Sequence, residues 1–156
     1  MTYDDLPVDP DVDSGGGRAS RPLHLRAPYA GLVFIGGALG TAAREGLSLA
    51  WPDSGFPATI FAVNVTGAFA LGLLLELLVR HGPDAGRRRV ARLLLGTGFL
   101  GGYTTYSTFA VGATQLMRHA DAGTGWLYAI ATVLVGAIAT TAGIVTGAMV
   151  HRRTAP

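Results

Sequence analysis

A glycine- and hydroxyl-rich run inside an apolar segment constrains this chain more than any other feature. From Gly96 to Phe109 the sequence reads GTGFLGGYTTYSTF, and the surrounding apolar stretch, residues 90–117, is long enough to span a bilayer. Lipid offers no hydrogen-bond partners, so irregular or polar backbone at that depth survives only where it is buried in protein or lines a cavity. The run therefore predicts a site for an ion or a small solute.

The rest of the chain has the composition of a membrane protein, with 49% hydrophobic and 14% charged residues among 156. Four apolar segments reach the length of about 20 residues that a spanning helix needs. They are residues 27–50, 56–79, 90–117 and 125–150. The predicted fold class is all-α, with four transmembrane helices forming one domain over residues 27–150 and the third helix broken mid-membrane.

Short polar tails flank this predicted domain. Residues 1–26 contain five aspartates and a triple glycine, so they are too polar to build a core and are predicted to be disordered. They contain no apolar core of a signal peptide, so a secretory signal is not predicted. Residues 151–156 form a short C-terminal tail. The chain has no cysteine, which excludes disulfides, thiolate metal sites and cysteine nucleophiles.

The arginines predict one orientation in the cell membrane. Short loops rich in arginine stay on the cytoplasmic side, and with four spans the two tails and the middle loop share one face. That face carries ten arginines, while Arg118 and Arg44 belong to the other. The ten are Arg18, Arg21, Arg26, Arg80, Arg87, Arg88, Arg89, Arg92, Arg152 and Arg153. Both termini are therefore predicted to be cytoplasmic, and the arginines flank spans rather than forming a nucleic-acid patch.

Polar residues in the first two spans have two readings each. Arg44 lies near a span end, where it either snorkels to the interface beside Glu45 or attracts an anion. Gly36 and Gly40, four apart on the same span, favour close helix packing. Asn64 is about eight residues into the second span, where its amide either bonds a neighbouring helix or donates to a passing anion.

The third span contains GTGFLG, which matches the dinucleotide fingerprint G-x-G-x-x-G. That motif requires a strand before it and a soluble βαβ unit, and neither is predicted here, so a dinucleotide site is rejected. The alternatives are a glycine-packed kink or a helix break at Gly101 and Gly102 whose free carbonyls coordinate a cation. Tyr106 and Phe109 share a helical face, where their ring edges either stabilise an anion or simply pack in the core.

The fourth span carries a possible polar stripe. Thr132 and Thr140 lie eight residues apart with Gly136 between them, so all three share one side of a helix. The hydroxyls either line a path for a solute or bond back to carbonyls of their own helix.

These residues together resemble the Fluc (CrcB) family of fluoride channels, over residues 30–150. The resemblance rests on GGxxGxxxR in the first span, VNxxG in the second and GFxGGxTTxSTF in the third. It implies an antiparallel dimer of four-helix subunits with two fluoride pores and a structural sodium ion at the dimer centre.

The resemblance also assigns roles to individual residues. The sodium ligands would be the backbone carbonyls of Gly101 and Thr104. The fluoride pore residues would be Asn64, Tyr106, Phe109, Thr132, Thr140 and, in the vestibule, Arg44. Three positions depart from the family pattern: Tyr106 replaces a phenylalanine, Gly112 a glutamate and Gly136 a hydroxyl residue.

The predicted function is a fluoride-selective channel subunit that exports cytoplasmic fluoride passively and so confers fluoride resistance. Because a chain inserting both ways should show little charge bias, the arginines predict a heterodimer with an inverted paralogue. A non-conducting structural subunit of such a heterodimer is the alternative. A proton-coupled multidrug exporter needs a carboxylate deep in the membrane to exchange protons for cations. It is disfavoured, because the span carboxylates, Glu45 and Glu76, lie near span ends. No span pairs a base with a nucleophile, so an enzyme is not predicted.

Overall fold

The computed structural model describes residues 26–154, and every regular element in that range is helical. In chain order the elements are α1 (Ala27–Ala50), α2 (Ala58–Arg80), α3 (Arg87–Ala91), a π-helix (Arg92–Leu100), α4 (Gly101–Tyr103), α5 (Tyr106–His119) and α6 (Ala122–Thr154). The segments from α3 to α5 follow one another as a single interrupted run, so residues 26–154 form four long helical units. The all-α prediction is confirmed.

The two predicted tails fare differently. Residues 1–25 of the predicted disordered tail lie outside the described residues, and only Arg26 of that tail is described, as the residue that precedes α1. At the other end, α6 continues to Thr154, beyond the predicted span end at residue 150. The last two residues, 155–156, also lie outside the description.

Local sequence signals set the helix ends. Pro28 occupies the first turn of α1, where its missing N–H costs no hydrogen bond, and α1 ends at Ala50, just before Trp51 and Pro52. The loop that follows is tied to the start of α2 by Thr59, whose hydroxyl donates to the Trp51 carbonyl at 2.7 Å. The Thr59 backbone N–H also donates to Asp53 Oδ1 at 2.9 Å. These two hydrogen bonds of Thr59 therefore order the turn between α1 and α2.

Helix α6 begins at Ala122, three residues earlier than predicted, and Asp121 caps its start. Its Oδ1 accepts from the Thr124 backbone N–H at 2.8 Å, and its Oδ2 accepts from the Thr124 hydroxyl at 2.6 Å. This is the arrangement that satisfies free N–H groups at a helix start. The hydrogen bonds from the Thr124 side chain and backbone hold the pKa of Asp121 below its usual value.

Glycines bring the helices into backbone contact. A Cβ at Gly36 or Gly40 would overlap the carbonyl oxygens of Leu94 and Phe99, so α1 packs directly on the π-helix. A Cβ at Gly143 would likewise overlap the Phe69 carbonyl, where α6 crosses α2. The prediction that Gly36 and Gly40 form a packing pair is confirmed.

The outer surface of the bundle suits lipid or a partner subunit. Two helices in the described range are long and apolar enough to cross a membrane, Ala58–Arg80 and Ala122–Arg152, each with a mean hydropathy of 2.0. Large apolar side chains such as Phe34, Leu127 and Ile138 are exposed, while Val63 and Tyr128 are the large side chains buried most completely. Exposed apolar side chains are expected when lipid, rather than water, covers the surface.

Candidate functional site

The third helical unit is interrupted at two residues. Helix α4 ends at Tyr103, Thr104 has a ψ of 157°, and Thr105 is extended with φ −148° and ψ 125° before α5 begins at Tyr106. The N–H and the hydroxyl of Thr104 still donate to the Leu100 carbonyl, at 3.0 Å and 2.9 Å. The hydrogen-bond ladder therefore stops sharply after Thr104, and nearby carbonyls lose their helical donors.

Asn64 on α2 holds the extended residue in place. Its Oδ1 accepts from the Thr105 N–H at 2.9 Å, and its Nδ2 donates to the Thr105 carbonyl at 3.1 Å. Because a backbone N–H can only donate, the orientation of the amide is fixed. The interhelical hydrogen bond predicted as one reading of Asn64 is present, and one N–H of the amide remains for another partner.

A hydroxyl cluster opens α5. The Thr105 Oγ1 accepts from the Thr108 N–H at 3.2 Å and lies 3.2 Å from Ser107 Oγ and 3.1 Å from Thr108 Oγ1. Thr105 is thus the cap of α5, a role for which threonine is favoured. We did not single it out from sequence, although a threonine directly after a break is the signal that marks such a cap.

The carbonyls around the break fall into two groups. The Gly102 carbonyl accepts from Thr41 Oγ1 and from Arg44 Nε, both at 3.4 Å. For the carbonyls of Gly101 and Thr104, the structure records no donor within residues 26–154. These are the two carbonyls predicted to hold sodium.

A cavity of about 490 Å³ adjoins the break. Seven of the eight predicted site residues line it: Asn64, Gly101, Thr104, Tyr106, Phe109, Thr132 and Thr140. The other lining residues are Gly67, Ala68, Leu71, Gly96, Thr97, Leu100, Thr105, Val133 and Gly136. No lining residue carries a formal charge, so the polar character of the wall comes from hydroxyls, one amide and backbone.

Arg44 is the predicted site residue that lies elsewhere. It does not line the cavity, and its Nε donates to Gly102 on the side of the break that faces α1. Since Gly101 lines the cavity and a Cβ at Gly102 would overlap the Gly37 carbonyl of α1, the two glycines face opposite sides of the break.

Two aromatic rings form one edge of the cavity. The ring centroids of Tyr106 and Phe109 lie 5.9 Å apart at an interplanar angle of 51°, and Tyr106 is 81% exposed. The Phe109 ring also packs on Tyr128 with 5.6 Å between ring centroids, and Tyr128 packs edge to face on Phe56 with 5.5 Å between centroids. The packing reading of Phe109 is confirmed, and the ring also borders the cavity, where a role toward an anion stays a prediction. Tyr128, 2% exposed, is the core anchor that the sequence analysis missed.

The threonines of α6 bond to their own helix. The Thr132 hydroxyl donates to the Tyr128 carbonyl at 2.7 Å, and the Thr140 hydroxyl donates to the Gly136 carbonyl at 3.0 Å. Both residues nevertheless line the cavity. To donate to an anion, each hydroxyl has to rotate away from its own carbonyl.

Comparison with known proteins gives a family match over most of the chain. The family model described as CrcB-like protein, Camphor Resistance (CrcB), matches residues 31–144. That range contains α2, the interrupted helix, the cavity and all eight predicted site residues.

Individual relatives agree with this match. The chain is 54% identical over 137 residues to a protein named fluoride-specific ion channel FluC 2 from Leifsonia xyli subsp. xyli, covering 87% of this chain and 94% of that protein. It is 47% identical over 119 residues to FluC 1 from Cutibacterium acnes, covering 75% and 80%. It is 39% identical over 126 residues to FluC 1 from Streptomyces coelicolor, covering 77% and 80%.

Proposed function

Because the chain belongs to the CrcB family, we propose that it is a subunit of a fluoride-selective channel that lowers cytoplasmic fluoride by passive export. The observation that carries the proposal is the cavity beside the helix break, which gathers an amide, two aromatic rings and five threonines in one uncharged wall. The relatives reported above are named as fluoride-specific ion channels, which favours a channel over an enzyme.

Fluoride is small and strongly hydrated, so a conducting site has to replace its water with other donors. The free N–H of Asn64, the ring edges of Tyr106 and Phe109, and the hydroxyls of Thr132 and Thr140 are the donors in our proposal. Each is weak by itself, which allows release as well as entry. Arg44 adds positive charge that attracts the anion toward the pore from outside the cavity.

A structural sodium ion fits the break. The carbonyls of Gly101 and Thr104 have no recorded donor in the described chain, and carbonyls of unwound membrane helices are ligands that sodium accepts. One subunit offers two such ligands, so a dimer whose subunits are related by an approximate twofold axis would offer four. When bound, the ion supplies a fixed positive charge near the dimer axis.

We further propose an antiparallel heterodimer with an inverted paralogue, embedded in membrane lipid, in which both termini of this chain are cytoplasmic. The rings of His81 and His151 lie 5.5 Å apart, so the ends of α2 and α6 meet at one end of the bundle. Arg80 and Arg152 therefore belong to the same end. This arrangement supports one orientation set by the arginine bias.

A second candidate is a non-conducting structural subunit that completes a partner's dimer. The hydrogen bonds of Thr132 and Thr140 to their own helix favour it, because those hydroxyls are already occupied. Gly136 also removes a hydroxyl from between them.

Fluoride efflux from liposomes tests the proposal and separates the two candidates. We would compare three samples: the chain alone, the chain together with a family member of the opposite arginine bias, and the same pair with Phe109→Ile in this chain. The matched control is Phe34→Ile, since Phe34 is 76% exposed on α1 and lies outside the cavity. A conducting subunit loses flux with Phe109→Ile and keeps it with Phe34→Ile. Full flux with both substitutions would identify the structural subunit.

A further inference from the structure

The carbonyls of Gly101, Gly102 and Thr104 are near neighbours in the chain but have different environments. Gly101 and Thr104 line the cavity, whereas Gly102 lies against α1. The Gly102 carbonyl accepts from the charged Arg44 Nε and from the Thr41 hydroxyl at the same distance, 3.4 Å. Two donors from one helix therefore converge on a single acceptor at the end of α4.

These donors sit on a rigid support. Gly40 packs so closely that a Cβ there would overlap the Phe99 carbonyl and come within 2.8 Å of the Tyr103 nitrogen. A Cβ at Gly102 would overlap the Gly37 carbonyl from the other side. Because backbone meets backbone at both points, α1 and α4 cannot shift independently, and the donors stay aligned with their acceptor.

A guanidinium at this position also has an electrostatic reason to stay. Helix C-termini carry partial negative charge from their unpaired carbonyls, and a cation there is stabilising. Without Arg44 and Thr41, the partly buried Gly102 carbonyl would lose both of its donors, which favours a shift of the α4 turn toward any other donor or cation.

We infer that Arg44, together with Thr41, is a positioning residue for the cation site: by holding the Gly102 carbonyl toward α1, it keeps the carbonyls of Gly101 and Thr104 turned to the cavity side. Arg44 does not touch the cation in this arrangement. The inference rests on the proposed sodium site and assigns Arg44 a task besides the attraction of anions.

The melting temperature of the purified protein, titrated with NaCl against N-methylglucamine chloride, tests this inference. An ion that binds only the folded state stabilises it by RT ln(1 + [L]/Kd), so the melting temperature starts to rise at concentrations near the dissociation constant and keeps rising above it. We expect Arg44→Gln to raise about tenfold the sodium concentration needed for a given rise in melting temperature, the loss expected from one charge-assisted hydrogen bond. Thr41→Val should act in the same direction with a smaller effect, and Arg44→Lys should recover part of the loss.

Two matched controls accompany these variants. Thr146→Val removes a hydroxyl that donates to its own helix, and Arg118→Gln removes an exposed arginine at the end of α5. Both should leave the sodium titration unchanged. If Arg44→Gln does not fold, Thr41→Val still decides, because it removes a donor without changing charge.

The outcomes separate the inference from the proposed function. A sodium response in the unmodified protein that both Arg44→Gln and Thr41→Val leave unchanged, or strengthen, overturns the inference alone. No sodium response in the unmodified protein overturns the inference together with the sodium site. Fluoride efflux measured on the same preparations decides separately whether the protein is a channel.

Discussion

Asn64 has a structural task at the helix break and, in our proposal, a second task in the pore. Its amide makes the same pair of hydrogen bonds to Thr105 that a neighbouring peptide group would make, so it replaces the partners that Thr105 lost where the helix stops. Because only one N–H is needed for Thr105, the second is available in the cavity. The interhelical bond that the sequence predicted is present, and donation to an anion stays a prediction that this bond does not exclude.

Removal of this amide should affect both stability and flux. We expect Asn64→Leu to lower the free energy of unfolding by about 1 kcal/mol, since two membrane hydrogen bonds average roughly 0.6 kcal/mol each, and to abolish fluoride efflux. Thr114→Val is the control, because the Thr114 hydroxyl donates only to its own helix at 2.8 Å. Thermal unfolding in detergent and liposome efflux measure the two effects. Normal efflux from Asn64→Leu would exclude the amide from the pore.

Tyr106 offers a prediction about which part of a side chain matters. Its ring faces Phe109, whereas the structure records no hydrogen bond for its hydroxyl within residues 26–154. Tyr106→Phe should therefore keep at least the efflux of the unmodified chain, and Tyr106→Leu should lose most of it, because only the ring supplies positive edges. Equal efflux from both variants would show that the Tyr106 ring does not contribute to conduction.

At the scale of helices, replacing glycine by alanine should have opposite effects on stability at two positions of α1. Gly40→Ala would drive a methyl group into the Phe99 carbonyl, whereas Gly31 on the same helix has nothing within 4 Å of its Cβ position. We expect Gly40→Ala to destabilise the protein by about 1–3 kcal/mol through overpacking. Gly31→Ala should stabilise it by about 0.5–1 kcal/mol, because alanine is the better helix former. Melting temperatures that fall equally for both would show that α1 and the π-helix are not in backbone contact.

Gly136 permits the reverse experiment on α6. It lines the cavity, and no atom lies within 4 Å of its Cβ position, so a larger side chain fits. Gly136→Ser would place a hydroxyl between Thr132 and Thr140 without disturbing the Thr140 bond to the Gly136 backbone carbonyl. We expect fluoride efflux to rise with no loss of melting temperature. Reduced efflux from a stable variant would mean that this stripe does not follow the ion path.

Helix positions were the part of the fold that the sequence predicted best. The predicted first span, residues 27–50, matches α1, because Pro28 and Pro52 mark its two ends locally. The predicted start of the fourth span was late, since the cap at Asp121 depends on a side-chain bond rather than on hydropathy. The π-helix was not predicted, and it lies where Gly36 and Gly40 bring a distant helix into contact. Periodicity carries no information about such a tertiary contact.

The site shows the same division. Motif spacing and family resemblance identified the residues that line the cavity, because those residue types are unusual within apolar spans. They did not identify the partner of Arg44 or the bonds between Asn64 and Thr105, which join residues 58 and 41 positions apart in the chain. Pairing across that distance depends on how α1 and α2 pack against the break.

At the scale of the whole molecule, the exposed apolar side chains suit a membrane, and the uneven arginines predict one orientation in it. The loop between α1 and α2 belongs to the face with few arginines, and the loop between α2 and α3 to the face with many. Ser54 and Ala85 are exposed residues in these two loops. Because the chain has no cysteine, a single introduced cysteine gives a unique label at either position.

Orientation can then be read directly in intact cells with a membrane-impermeant maleimide. We expect Ser54→Cys to react from outside and Ala85→Cys to react only after permeabilisation, with the cysteine-free chain as the unlabelled control. This result would place both termini in the cytoplasm and leave the inverted position of an antiparallel dimer to another chain. Equal labelling of both cysteines from outside would mean that this chain inserts both ways, so that two copies of it could form the dimer and no paralogue would be needed.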